Sequence, residues 1–554
     1  MSNENNQTYK YLSPIMLLLA MAVVWLICPP LLYLNDDITM RSILSGAYTG
    51  TPNGHAVYMQ YPLTAILALL YRIMPVISWM EIFFAACIWV CMILIARELP
   101  HIGAGSFLVL IFFLPFFVFM HYTIIASIVG GTAVFLVCRS KRSFASIALL
   151  WIAFMIRSHV GLLCLPFIVA GLVWRTFRTP DSLKTDLKGI GKYAGMLAVG
   201  LTLISGINSL CYSSDAWQEY LAYNDSRTAL YDYTNFYSVE KYAENYADYG
   251  MTKEEAQILT KYYTMLDSSI DSKRIQEIEG NITSGMWEDM DTIAILKNCI
   301  IKYYMQIRYQ NFPYNCVWVA FYVVLAIGIV LTKKWLELAF LGGLGAGRSI
   351  IWLYFIWQDR YPERVVLAFY IIELLLMLAM SVSVIKDLKA GILQNRPRIE
   401  RGCILALAVA GAVLGGYFAA ENYMNAYEYR EVQKEWQALR EYCAEKEENI
   451  YFLDMLSLAN FAEIEYSSKK TNTMMIGGWL TASPLAKARL EDMGGPDAAE
   501  VLYYSDNARL IADVSQDMSW LQEYLINRFG DCKLVPVNTI VSGWRAIIEY
   551  QVIN

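Results

Sequence analysis

Two adjacent carboxylates, Asp36 and Asp37, open the polar stretch LNDDITMRSILSGAYTGTPNGH, directly after an apolar run that ends at Leu34. A carboxylate kept from water beside a second one is raised toward neutral pH and becomes a better proton acceptor. The pair therefore has the makings of a general base. One of the two acids can instead cap the helix begun by ITMRSIL, accepting from its free backbone N–H groups; that accounts for one acid and leaves the other. Arg41 and His55 follow in the same stretch.

Other ionisable residues also stand at the ends or in the middle of apolar runs, where each one needs a reason. FMIRSHVGLL sets Arg157 and His159 at a turn between two apolar segments, with no room for a loop. Snorkelling at an interface is the ordinary explanation, and facing protein is the other. Arg348 lies near the middle of GGLGAGRSIIWLYFIW, where a guanidinium wants an anion or a buried acid. Glu337 and Glu373 are its candidate structural partners. IWQDRYPERVV crowds Asp359, Arg360, Glu363 and Arg364 around a proline, as a salt-bridged turn or as a phosphate clamp built on the planar donor fork of arginine. YNDSRTALYDYTNF adds Asn224, Arg227, Asp232 and Tyr233. Rings and carboxylates of this kind suit a sugar, whose C–H faces lie on aromatic rings and whose hydroxyls donate to acids.

The elements that must position these groups belong to a membrane. Of 554 residues 57% are hydrophobic and only 17% are charged, against about 25% charged in soluble chains. Polar breaks divide the chain into about eleven spans, near 12–34, 78–96, 104–120, 122–138, 144–157, 159–174, 193–212, 314–332, 335–357, 364–385 and 402–420. The first apolar run is expected to span rather than to be removed, being long and without a small-residue cleavage site after Leu34. A cytoplasmic N-terminus places ARELPH, CRSKRS, WRTFRTPDSLKTDLKGIGK, LTKKW and KDLKAGILQNRPRIERG inside, and every one is basic, as the positive-inside rule asks. The short apolar segment YPLTAILALLYRIMPV at 62–76 reads as a re-entrant or interfacial helix.

Three regions then face outward: 35–77, a loop at 213–297, and the chain from 421 to 554. The loop holds sixteen Asp and Glu residues and, from Tyr220 to Tyr263, ten tyrosines. It is too aromatic for disorder, and TKEEAQILT carries a helix start with Thr252 as cap and Glu255 three residues on. Alternating strand-like and helix-like segments after 421 predict a small α/β domain of about 110 residues. Cys443 and Cys532 lie there, and nothing in the spacing demands that they pair. The net charge of −6 argues against a nucleic-acid partner.

The arrangement resembles the GT-C glycosyltransferases, which take sugars from polyprenyl-phosphate carriers. The resemblance rests on a first span ending in LNDD, an outer loop ITMRSILSGAYTGTPNGH leading into a short apolar segment, about ten further spans and an outer C-terminal domain. DDxxxRSxxSG also looks like the start of bacterial serotype-converting membrane glucosyltransferases, and NDD…SGAYTGTP with RxPERV is closer still to uncharacterised Firmicute membrane proteins. It covers residues 1–420, read as a GT-C-like transmembrane domain, with 421–554 as an extracytoplasmic α/β domain. The resemblance implies a bacterial cell-membrane enzyme with its active site outside. Asp36 is implied as the base that deprotonates the acceptor, a glycan or cell-surface polymer, with Asp37 as its neighbour.

Arg348, Arg360, Arg364, Arg157 and His159 are the candidates for the lipid-phosphate donor, and His55, Asn224, Arg227, Asp232 and Tyr233 for the acceptor. A divalent metal, Mg or Mn, stays open: some members hold one with loop acids and others need none, and a second DxD is lacking here. The rival readings are a lipid-linked glycan transporter or flippase, which calls for repeated halves that this chain does not show, a polysaccharide polymerase or ligase, and a glycan-binding scaffold.

Overall fold

The computed structural model describes residues 2–32, 35–99, 102–139, 144–178, 183–233, 244–288, 292–358, 361–392, 394, 397–458, 461 and 466–554. The chain is largely helical, and six of its described helices are long and apolar enough to cross a membrane: Trp79–Glu98, Ser158–Arg178, Lys188–Cys211, Tyr314–Leu331, Trp335–Trp357 and Glu363–Ala390. Leu12–Ile27, Gly105–Val118, Tyr122–Cys138 and Phe144–Ile156 are shorter apolar helices. The segment expected to lie at an interface forms the 13-residue helix Tyr61–Ile73, with Ile66, Leu69 and Ile73 exposed.

Helix α1 (Ser2–Ile27) stops just before Pro29 and Pro30, which cannot donate to a further turn. The chain then forms strand β1 (Leu31–Leu32) and helix α2 (Asn35–Ser45). Strand β2 (Phe119–Met120) runs parallel to β1 and leads through His121 into helix α3 (Tyr122–Cys138). Every residue of α3 is buried. A Cβ at Gly131 would lie 2.8 Å from Leu375 Cδ1 and 3.2 Å from Ile372 Cα, so only glycine lets α3 approach helix α6 (Glu363–Ala390) this closely. Two further helices, α4 (Phe144–Ile156) and α5 (Ser158–Arg178), reverse at the single residue Arg157. At the end of α6 far from Arg364, Arg178 bonds to Asp387 and Glu337, and Lys334 bonds to Asp387.

Helix α7 (Pro397–Glu435) runs unbroken across residues 420 and 421, and the α/β unit begins after it. Its sheet has five strands: β3 (Ile450–Leu453), β4 (Thr473–Met475), β5 (Ala508–Asp513), β6 (Lys533–Ser542) and β7 (Arg545–Ile553). The order is β4-β3-β5-β7-β6, with β4, β3 and β5 parallel and β7 antiparallel to both its neighbours. Strand alternation sends Phe452, Leu510 and Ala512 to one face and Tyr451, Leu453 and Ile511 to the other. Both faces are apolar, so both are covered. Cys443 and Cys532 are buried in the two different clusters and stay free.

The loop after residue 213 is one body with this domain. Ile258, Leu259, Leu266, Ile275 and Ile278 share a core with Phe452, Leu510 and Leu521. Backbone bonds from Met265 to Ile476 and from Ala498 to Met265 stitch the two together. The capping box anticipated at Thr252 and Glu255 is present in both directions. The first polar stretch joins the same body: Thr471 N–H donates to the Ala47 carbonyl, and Arg489 donates to the Tyr48 carbonyl at 3.0 Å.

A Cβ at Gly477 would overlap the Tyr262 carbonyl oxygen. Gly477→Ala is therefore expected to lower the unfolding temperature and to open the C-terminal domain to limited proteolysis. Gly280→Ala is the control: Gly280 is an exposed helical glycine with open space around it, and alanine there is expected to be neutral or to stabilise by up to about 1 kcal/mol. Equal melting of the two variants would contradict the close approach.

Candidate functional site

The two acids that open α2 have different fates. Asp37 is 0% exposed, and its Oδ1 accepts the backbone N–H of Tyr122 at 3.0 Å. It thus satisfies one of the free donors at the start of α3, a helix other than its own. Its Oδ2 lies 3.9 Å from His121 Nδ1. That nitrogen accepts the Thr123 N–H at 3.0 Å, so it carries no proton to share, and the His121–Asp37 contact is not an ion pair. Burial, with Arg364 and Arg157 nearby, lowers the His121 pKa to about 3 and keeps the ring neutral.

Asp36 keeps part of its surface exposed. Burial holds its carboxyl above the ordinary carboxylate range; Arg364, Arg157 and Arg227 pull it back down, and Asp232 adds to the rise. Desolvation, expected from the sequence together with a neighbouring acid, is the largest cause of the rise. Three guanidinium groups from three separate segments therefore act on one carboxylate.

Each is placed by a simple device. Arg157 is the link between α4 and α5, and its guanidinium lies 5.3 Å from the ring centres of both Tyr58 and Tyr122. The first polar stretch is tied to the same reversal by the Gln60 N–H donating to the Met155 carbonyl. Arg364 sits in the first turn of α6. Arg227 lies in the last turn of the helix Asp215–Thr228, where Nε and Nη2 donate to Asn224 Oδ1 at 3.3 and 3.2 Å. Asp232 is exposed on the π-helical turn Ala229–Tyr233 that follows, which Tyr233 closes. Tyr58 completes the surround; burial and the charge of Asp36 push its hydroxyl upward, so it stays protonated as a donor.

Arg348 does not belong to this group, and its assignment to the lipid phosphate is corrected. Its Nε lies 3.3 Å from Glu373 Oε2, both side chains are fully buried, and its Cζ sits 3.6 Å from the Trp352 ring centre and 4.3 Å from that of Trp318. Glu373 also accepts from Trp318 Nε1 and Tyr322 Oη, each at 2.7 Å. Nine residues separate Glu373 from Arg364 along α6, about 13 Å at helical rise. The mid-span arginine is a structural ion pair in an aromatic box.

His55 is also accounted for by packing. Its ring stacks on Trp217 at 4.7 Å and contacts Tyr61 and Tyr212, while Nδ1 lies 2.8 Å from Asn53 Oδ1 and Nε2 3.3 Å from the Cys211 carbonyl. Burial lowers its pKa. His159 is exposed, and Arg360 lies outside the described residues. Arg41, in the opening stretch, bonds to Glu81 at 2.6 Å.

The residues that sequence reasoning missed are His121, Tyr122 and Tyr58. The break FMHYTII, a histidine between two apolar runs, was the available signal for the first two. Among the described residues no three His, Cys, Asp or Glu side chains come together to hold a metal ion. No protein family model, curated protein or solved structure matches the chain.

Two outcomes follow from these placements. Arg348→Met strands a buried Glu373 and is expected to destabilise by about 3–5 kcal/mol, with Arg348→Met/Glu373→Gln recovering much of it; denaturation of the purified proteins measures both. Folded Asp36 binds its proton more tightly than the unfolded chain does, so its ionisation favours unfolding as pH rises from the ordinary carboxylate range through its raised value. Asp36→Asn is therefore expected to melt no lower than wild type near pH 4 and higher at pH 7; a lower melting temperature at pH 7 would contradict the sign.

Proposed function

We propose that the chain is a membrane glycosyltransferase that moves a sugar from a polyprenyl-phosphate carrier to an acceptor on the outer face of the cell membrane, with Asp36 as general base. The observation that carries this reading is the half-buried Asp36 carboxylate, raised by burial and drawn back down by the charges of Arg364, Arg157 and Arg227. A base close to its substrate and a cationic surround for a leaving phosphate are the two things that glycosyl transfer from a lipid phosphate needs. The long apolar helices that carry Arg364 and follow Arg157 suit a donor whose tail lies in lipid.

In the proposed reaction Asp36 takes the proton of an acceptor hydroxyl as its oxygen bonds to the anomeric carbon. The bond from that carbon to the phosphate oxygen breaks, and polyprenyl phosphate leaves with the electron pair. Arg157 and Arg364 stabilise the negative charge that develops on the leaving oxygen. Arg227, held by Asn224, and Asp232 lie on the side of the outer loop and orient the acceptor hydroxyls. Asp37 positions α2 and takes no proton.

Purified protein incubated with a panel of polyprenyl-phosphate sugars is expected to release the carrier with at least one of them. Asp36→Asn is expected to lose about 10²–10⁴-fold in turnover while remaining folded. Since the base works ionised, wild-type turnover is expected to rise with pH through a value above the ordinary carboxylate range. Near-normal turnover by folded Asp36→Asn would sink the assignment. Arg364→Gln is expected to lower turnover as well, because its charge is needed on the leaving phosphate.

A further inference from the structure

The C-terminal domain reaches the site through one side chain. Trp479 stands in the segment IGGWLT, between β4 and the helix Pro484–Asp492. Its ring centre lies 4.8 Å from that of Tyr58, and Tyr58 stacks in turn on Tyr122 at 6.3 Å and an interplanar angle of 17°. Arg157 contacts both tyrosine rings, and the charge of Asp36 acts on both of their hydroxyls. Three segments far apart in the chain therefore build one aromatic row that ends beside the proposed base.

The support under Trp479 is rigid. The Trp479 carbonyl accepts the hydroxyl of the fully buried Tyr220 at 2.9 Å. Thr481 bonds to Thr264 at 2.8 Å, and the Ile476 carbonyl accepts the Met265 N–H. Gly477 fits only because it lacks a Cβ, and Gly478 takes φ +106°, a backbone that side-chain-bearing residues rarely adopt. Yet Trp479 and Tyr58 both keep part of their surface exposed, as do Asp36, Arg157 and Arg227. A rigidly presented, partly exposed indole against Tyr58, which Arg157 touches and on which Asp36 and Arg227 act electrostatically, gives the composition of a saccharide site: ring faces for the C–H side of a pyranose, and Asp36, Asp232 and Arg227 for its hydroxyls.

We propose that Trp479 and Tyr58 form the acceptor platform, so that the C-terminal domain selects the acceptor and the acceptor is itself a saccharide. This rests on the glycosyltransferase reading for its role, and its binding chemistry can be tested apart from turnover.

The test uses the full chain in detergent and measures binding of cello-, chito-, manno- and galacto-tetrasaccharides by calorimetry. Wild type is expected to bind at least one of the four. Trp479→Leu keeps apolar bulk and is expected to weaken that binding at least tenfold, Tyr58→Leu to do the same from the other side of the seam, and Trp479→Phe to weaken it no more than about threefold, since each stacked ring contributes on the order of 1 kcal/mol or more. Melting temperatures of the Leu and Phe variants separate stacking from packing. The proposal is overturned if wild type binds none of the four, if Trp479→Leu binds as tightly as wild type, or if Phe and Leu weaken binding equally. Failure here with turnover still lost in Asp36→Asn removes the platform and keeps the base; saccharide binding that depends on Trp479, with full turnover in Asp36→Asn, removes the base and keeps the platform.

Discussion

The bond between the Asp37 carboxylate and the Tyr122 backbone N–H holds the site in register. Together with the pairing of Leu31–Leu32 on Phe119–Met120, it fixes the start of one helix on the start of another 85 residues away. Asp36 is the next residue toward the N-terminus, so its position follows from this anchor. Tyr122 carries the anchor into the aromatic row, where Arg157 lies against its ring. A carboxylate this deeply buried is costly to leave short of a hydrogen bond, so the contact with the Tyr122 N–H is structural.

The two acids thus divide their work by environment. Asp37 is enclosed and spends an oxygen on a backbone donor, whereas Asp36 is partly open and meets charges delivered from a helix reversal, a helix start and an outer loop. Opposing forces set its protonation: burial favours the neutral form and three arginines favour the anion. The net result is a rise, the direction the proposed base calls for, and a guanidinium is also a group suited to a phosphate.

Much of this was legible because it rests on local patterns. The paired acids, the reversal around Arg157 and the Thr252 cap need only neighbouring residues to be recognised. The alternation of strands and helices after the last long helix announced an α/β domain, although α7 continues past 421 before that domain starts. What could not be read was anything set by distant pairing. Arg348 looked like an anion ligand because the sequence gives no measure of how well Glu373, Trp318 and Trp352 enclose it. His55 looked like a site residue because Tyr212 and Trp217, which cage it together with the nearby Tyr61, lie more than 150 positions later in the chain. Trp479 gave no signal of its own, since its partner Tyr58 lies more than 400 positions earlier.

The helix Pro397–Glu435 has 39 residues, about 58 Å at helical rise, nearly twice the hydrocarbon thickness of a bilayer. Arg430 near its end donates to the Pro29 carbonyl, and Ala426 packs with Cys28, Leu31 and Val118 around the two-stranded ribbon. Trp436, the next residue after the helix, is fully buried in the C-terminal domain. The helix is therefore clamped to the ribbon over its last quarter and to the domain just beyond its tip. One continuous helix therefore links the apolar part of the chain to the ribbon that anchors Asp37 and, one residue on, to the core of the C-terminal domain.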